Sequence, residues 1–78
     1  MSPIIKLNEL YPGHCARIIS LDNNMDSKRL SELGFYQGAC VKPLFYGVFG
    51  DPCAFLVQNT VIALRRRESE NILVNEQY

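Results

Sequence analysis

Residues Arg29–Val41 read RLSELGFYQGACV, and how this stretch starts and stops decides the fold. Asp26, just upstream, is a good N-cap: its carboxylate can accept from the free amides of a first helical turn and suits the positive helix end. Met25 then falls at N′ and Leu30 at N4, the spacing of a hydrophobic staple. Leu30 and Leu33 share one face. Gly34 can adopt the left-handed conformation that ends a helix, which places Phe35 where it folds back onto Leu30. A helix this short has no stability of its own in water. It must be fastened to something larger, and the staple, Leu33 and Phe35 are the fastenings. The reading is a clip laid over one end of a small β structure.

Working outward, Gly38 makes a second turn and releases the chain into ACVKPLFY, a strand candidate. Pro43 lies inside it. Proline cannot donate to a ladder, so this position belongs on an edge or at a bulge. Upstream, KLNELYPGH reads as a turn of helix or a loop closed by Pro12-Gly13, and CARIISL as a first strand. Downstream, GVFGDP is the clearest loop in the chain. Cys53, Phe55 and Val57 then alternate with Ala54, Leu56 and Gln58. Gln58-Asn59-Thr60 is a tight hairpin, because Asn tolerates a positive φ. VIAL is the returning strand, RRRESEN can make one helical turn, and ILV is a closing strand. The expected class is mostly β: a small antiparallel barrel of about five strands, partly open, with one short helix, an arrangement that limits exposed edges.

The 78 residues leave room for one domain, residues 1–78. With 47% apolar residues the chain has the material for a thin core. Eight basic and eight acidic residues cancel, whereas nucleic-acid binders carry a basic excess. The only basic run, Arg65-Arg66-Arg67, is followed at once by Glu68 and Glu70 and reads as a solvated strand end. The three cysteines, Cys15, Cys40 and Cys53, are too few and too widely spaced for a disulfide framework. They sit in or beside apolar stretches, so they are expected to be buried thiols, consistent with a reducing cytosol. The start, MSPIIKLNEL, lacks the pattern of a signal peptide, and no window is apolar enough to span a membrane. A cytoplasmic protein without direct membrane insertion is expected.

The motifs RLSELGF, YQG and ACV, followed by GDP and IALRRRESENILV, resemble the FeoA family, the ferrous iron transport protein A of bacteria. The resemblance runs from about Leu7 to Val74. The family pattern is met by Arg29, Leu30, Leu33, Gly34 and Gly38, by Gly50, Asp51 and Pro52, and by Ala63, Leu64 and Arg65. Asn59 stands where the family often has Gly, Ser69 where it often has Ala, and Pro43 where an aliphatic residue is usual. The resemblance implies an SH3-like β-barrel in the cytosol that works with FeoB, the larger membrane protein with a GTP-binding domain that moves Fe²⁺ inward. It also implies kinship with the C-terminal domain of iron-dependent repressors.

No catalytic, cofactor or metal site is expected. The Gly-Asp-Pro loop lacks the residues of a phosphate-binding P-loop. Structural zinc sites pair ligands about two to four residues apart, and the cysteines here do not. His14, the single histidine, has no orienting partner that would make it the base of a cysteine nucleophile. Contact with a partner is what remains. Interface energy concentrates in a few aromatic, arginine and apolar anchors. Arg29, Leu30, Tyr46 and Phe49 are the candidates that the core need not consume, with Leu30 expected to stay partly exposed. The alternative is a small barrel that binds nucleic acid through Arg65 to Arg67 with Tyr46 or Phe49; the zero net charge speaks against it.

Overall fold

A computed structural model describes residues 3–22 and 26–77. Among them are six strands: β1 (Ile4–Lys6), β2 (Ala16–Leu21), β3 (Cys40–Tyr46), β4 (Cys53–Val57), β5 (Thr60–Leu64) and β6 (Ile72–Glu76). Two short helices accompany them, α1 (Ser27–Leu33) and the single turn α2 (Arg66–Ser69). The strands form one antiparallel sheet in the order β1-β6-β2-β3-β4-β5.

The mostly β fold read from the sequence is present, with one strand more than expected. β1 pairs with β6, setting Ile5 opposite Val74 and Lys6 opposite Leu73. Its three residues carry no alternation of their own, and only their distant partner makes them a strand. The expected turn of helix follows directly as a 3₁₀ turn, Leu7–Glu9, which buries Leu7. α2 is the helical turn foreseen in RRRESEN.

α1 starts and stops as its sequence dictates. The Asp26 side chain accepts from the Arg29 amide at 3.1 Å. At the other end Gly34 has φ 112°, and two reverse hydrogen bonds close the helix: Gly34 N–H to the Ser31 carbonyl at 3.0 Å and Phe35 N–H to the Leu30 carbonyl at 2.8 Å. This is the Schellman pattern. The proposed staple contact of Met25 lies outside the described residues.

β3 is the hinge of the sheet. Its first two residues pair with β2 (Ala16 opposite Val41, Arg17 opposite Cys40), and the remainder pairs with β4. The register against β4 shifts between Pro43 and Phe45. Pro43 thus occupies a bulge, the place open to a residue without an N–H. Its carbonyl accepts from Gly13 at 2.8 Å. The β4–β5 hairpin turns through Gln58 and Asn59, both at positive φ (53° and 60°), the conformation that matches strand twist in a two-residue loop.

The core joins all layers. Leu7, Leu10, Ile18, Leu30, Phe35, Val41, Phe55, Val57, Leu64, Ile72 and Val74 are fully or nearly fully buried in one cluster. Phe55 is its centre, edge-to-face with Phe35 at 6.1 Å and with Tyr46 at 6.3 Å. Burying side chains of this size contributes about 1.5–3 kcal/mol each.

Candidate functional site

One end of the barrel collects the features that the fold does not use. It is built from the β3–β4 loop (residues 47–52), α2 and the first turn of α1. The loop is tightly tied. Gly47 N–H donates to the Pro52 carbonyl at 2.8 Å, Gly50 N–H to the Gly47 carbonyl at 2.8 Å, and the Cys53 thiol to the Gly50 carbonyl at 3.1 Å. A Cβ on Gly47 would lie 2.6 Å from the Asp51 carbonyl oxygen, so the loop closes only with glycine there. The Asp51–Pro52 peptide is cis. The Asp51 carboxylate accepts from the Arg66 amide at 3.1 Å, which fastens the loop to α2. Glu68 of α2 in turn accepts from the Arg29 guanidinium of α1 and, at 3.3 Å, from the Arg65 amide.

Phe49 stands at the tip of this loop. It is 93% exposed, and its backbone sits at φ 58°, ψ 25°. A left-handed conformation costs a residue with a Cβ about 1–2 kcal/mol. A large apolar side chain is thus held in water on a strained backbone by glycines on either side of its short turn. Exposed Val48 adjoins it in sequence. Outliers of this kind cluster at binding sites.

The structure separates the four sequence candidates. Phe49 and Arg29 are exposed and linked through α2. Leu30 is fully buried and belongs to the core cluster, which corrects the expectation that it stays partly exposed. Pinned between the helix end and the sheet, it holds α1 in place and offers no surface. Tyr46 is half-buried against Phe55, and its hydroxyl donates inward to the carbonyls of Leu7 (3.3 Å) and Leu10. Burial first, and the neighbouring Cys53 second, push its phenol up to about 12. Tyr46 therefore braces the base of the loop.

The leading sequence reading took Phe49 as a contact candidate and set the arginine run aside as a solvated strand end. They are neighbours. Arg65 caps α2, Arg66 and Arg67 lie within it, all three are exposed, and Arg66 is bonded to the loop. The Asp51–Arg66 contact reveals this, and no local pattern encodes it.

The cysteines also differ from expectation. Cys53 is buried, but Cys15 and Cys40 are exposed. Ala16 and Val41 face the core, so their strand neighbours Cys15 and Cys40 must face outward. Among the described residues no three His, Cys, Asp or Glu side chains gather where they could hold a metal ion. His14 pairs with Glu76 and stacks at a tilt on Tyr11. Among the described residues no helix is long and apolar enough to cross a membrane.

The profile of the FeoA domain matches residues 5–76. No curated protein matches the chain in sequence. Among solved structures it is similar to iron(II) transport protein A of Clostridium thermocellum, with 33% identity over 92% of this chain and a TM-score of 0.85. The chain spans 45% of that protein's length. It is also similar to the zinc complex of FeoA from Stenotrophomonas maltophilia, described as an SH3 domain protein and as a candidate ferrous iron transport activating factor. Here identity is 32%, coverage is 91% of this chain and 89% of that one, and the TM-score is 0.77. The fold alone is shared with IdeR of T. acidophilum, at 21% identity and a TM-score of 0.79, with 99% of this chain and 37% of that one covered.

Proposed function

This chain belongs to the FeoA domain family, which is associated with ferrous iron transport, and we propose on that premise that it is a non-enzymatic accessory protein of ferrous iron uptake. Residues 1–78 act as one SH3-like unit in the cytosol. The unit binds the GTP-binding portion of the membrane transporter FeoB and acts through that contact.

The observation that carries this reading is Phe49, 93% exposed at the tip of a loop whose every turn is tied down. A preorganised aromatic anchor loses little conformational freedom on binding, which is where much of the cost of association lies. Around it the exposed arginines 65–67 and the Arg29–Glu68 pair make a polar and basic rim. An apolar centre with a charged rim is the usual anatomy of an interface. A groove for a small substrate is not needed for this work.

The test is binding to the isolated cytosolic domain of FeoB, measured by calorimetry alongside iron-dependent growth. Phe49→Ala should weaken binding by roughly thirtyfold, the effect of losing about 2 kcal/mol from a central anchor. Arg29→Ala should weaken it less. An unchanged affinity in Phe49→Ala, with the fold confirmed by circular dichroism, would remove the basis of the assignment.

A further inference from the structure

The sheet has two edges, and they are guarded differently. β1 ends on Lys6, whose amide donates to the Glu9 carboxylate at 2.9 Å, so charge and a side chain cover that edge. β5 reads TVIAL, without a charge or a proline from Thr60 to Leu64. Natural edge strands are normally protected by such residues.

Hairpin geometry fixes which β5 groups face outward. Val57 is opposite Thr60 across a two-residue turn, which makes them a hydrogen-bonded pair. Bonded and non-bonded pairs alternate in an antiparallel ladder. Phe55–Ile62 and Cys53–Leu64 are therefore bonded pairs, and the backbone groups of Val61 and Ala63 point away from β4. Among the described residues no backbone or side-chain bond reaches them from elsewhere. Their side chains face away from the core too: Val61 is 60% exposed and Ala63 is exposed.

The two ends of β5 carry opposite charge. Exposed Glu32 of α1 lines a shallow depression with Gln58, Thr60 and Ile62, at the hairpin end. Arg65, Arg66 and Arg67 follow directly on the other end. Neither Glu32 nor these three guanidinium groups have an ion-pair partner among the described residues.

We propose that the chain self-associates as a two-fold dimer by antiparallel pairing of β5 with β5 of a second copy. The self-complementary register sets Ile62 opposite Ile62 and Val61 opposite Ala63, twice over. In that register the two Val61–Ala63 pairs are the hydrogen-bonded ones, so each satisfies the outward N–H and C=O groups of both residues. Val61 packs on Ala63 of the second copy. The antiparallel direction carries Arg65 and Arg66 of one copy to Asn59 and Gln58 of the other, beside its Glu32. Opposite charges meet at both ends because the axis is two-fold. A parallel pairing would stack arginines on arginines.

Sedimentation velocity from micromolar to millimolar concentration, with hydrogen exchange followed by NMR, tests this. The unaltered chain should dimerise, and the Val61 and Ala63 amides should gain protection with concentration while the Ile62 amide is protected throughout. Ala63→Pro removes an N–H that the β4 ladder does not use, and Val61→Lys charges the edge. Each should raise the dimer dissociation constant by roughly tenfold or more. Glu32→Arg should weaken the dimer and Glu32→Arg/Arg66→Glu should restore it. A chain that stays monomeric throughout, a dimer whose protection maps to another surface, or folded Val61→Lys that associates like the parent would each overturn the proposal.

Discussion

Replacing Gly34 with valine tests the stop that decides this fold. Gly34 sits at φ 112°, ψ 0°, beyond the small left-handed region in which any L-residue is comfortable. Reaching the left-handed region alone costs about 1–2 kcal/mol, and a β-branched residue is worse placed. Space is the second obstacle. A Cβ at this position would lie 2.4 Å from Cγ1 of Val57 and 3.0 Å from Cγ of Gln58, where carbon atoms rest at about 3.5–4.0 Å. Val57 is buried on β4 and cannot retreat without disturbing the core. Overpacking of this kind costs about 1–3 kcal/mol. The two effects together remove about 2–5 kcal/mol, a large share of the roughly 5–15 kcal/mol that holds a small domain together. Ser31→Ala, on an exposed face of the same helix, should stay within about 0.5 kcal/mol of the parent. Urea denaturation followed by circular dichroism compares them, with the slope checked for constancy. Similar midpoints for the two variants would refute both the helix stop and the packing of α1 on the β4–β5 hairpin.

Phe49→Gly should leave stability unchanged or raise it by up to about 1 kcal/mol, because glycine relieves the φ of 58°; a loss above about 1 kcal/mol would show that the ring packs on the fold and is no free anchor. Tyr46 has its phenol raised to about 12 from an ordinary 10.0, so its contribution is present in full below about pH 10 and is lost as pH rises toward about 12. Tyr46→Phe should lower stability at neutral pH by about 0.5–1.5 kcal/mol for the lost inward hydrogen bonds and flatten that alkaline decline; a decline equally steep in the variant assigns it to other groups. In thiol titration with a disulfide reagent, Cys15 and Cys40 should react in the native protein and Cys53 only on unfolding, and early reaction of Cys53 would contradict its burial beneath the β3–β4 loop.

What the sequence disclosed was local in origin. Asp26, Gly34 and Phe35 write the limits of α1 in residues that touch within one turn, so α1 was readable to its cap. Asn59 and Pro43 were placed correctly for the same reason: a φ preference and a missing N–H belong to the residue itself. What escaped notice depends on distant partners. Ile4–Lys6 becomes a strand only because Leu73–Asn75 lies beside it. The exposure of Cys15 and Cys40 is set by the phase of β2 and β3, and composition cannot supply a phase. Leu30 looked available because its local partners were visible while the sheet beneath it was not. The contact of Arg66 with Asp51 joins two segments that read as separate, and so the candidate site was seen in pieces.

The place of β6 bears on how the protein is made. β6 lies between β1 and β2, which precede it in the chain by three further strands. While the ribosome is still translating the segment through Leu64, those strands have emerged but their common partner has not. Val74 and Ile72, which fill the core between them, arrive only after β3, β4 and β5 have been made. The nascent chain can close the β3–β4–β5 meander early, since its pairings are short in sequence. Its other half waits with unpaired backbone on both flanks. Completion is therefore a single late insertion, and a pause before Ile72 leaves an open seam for chaperones and proteases to find.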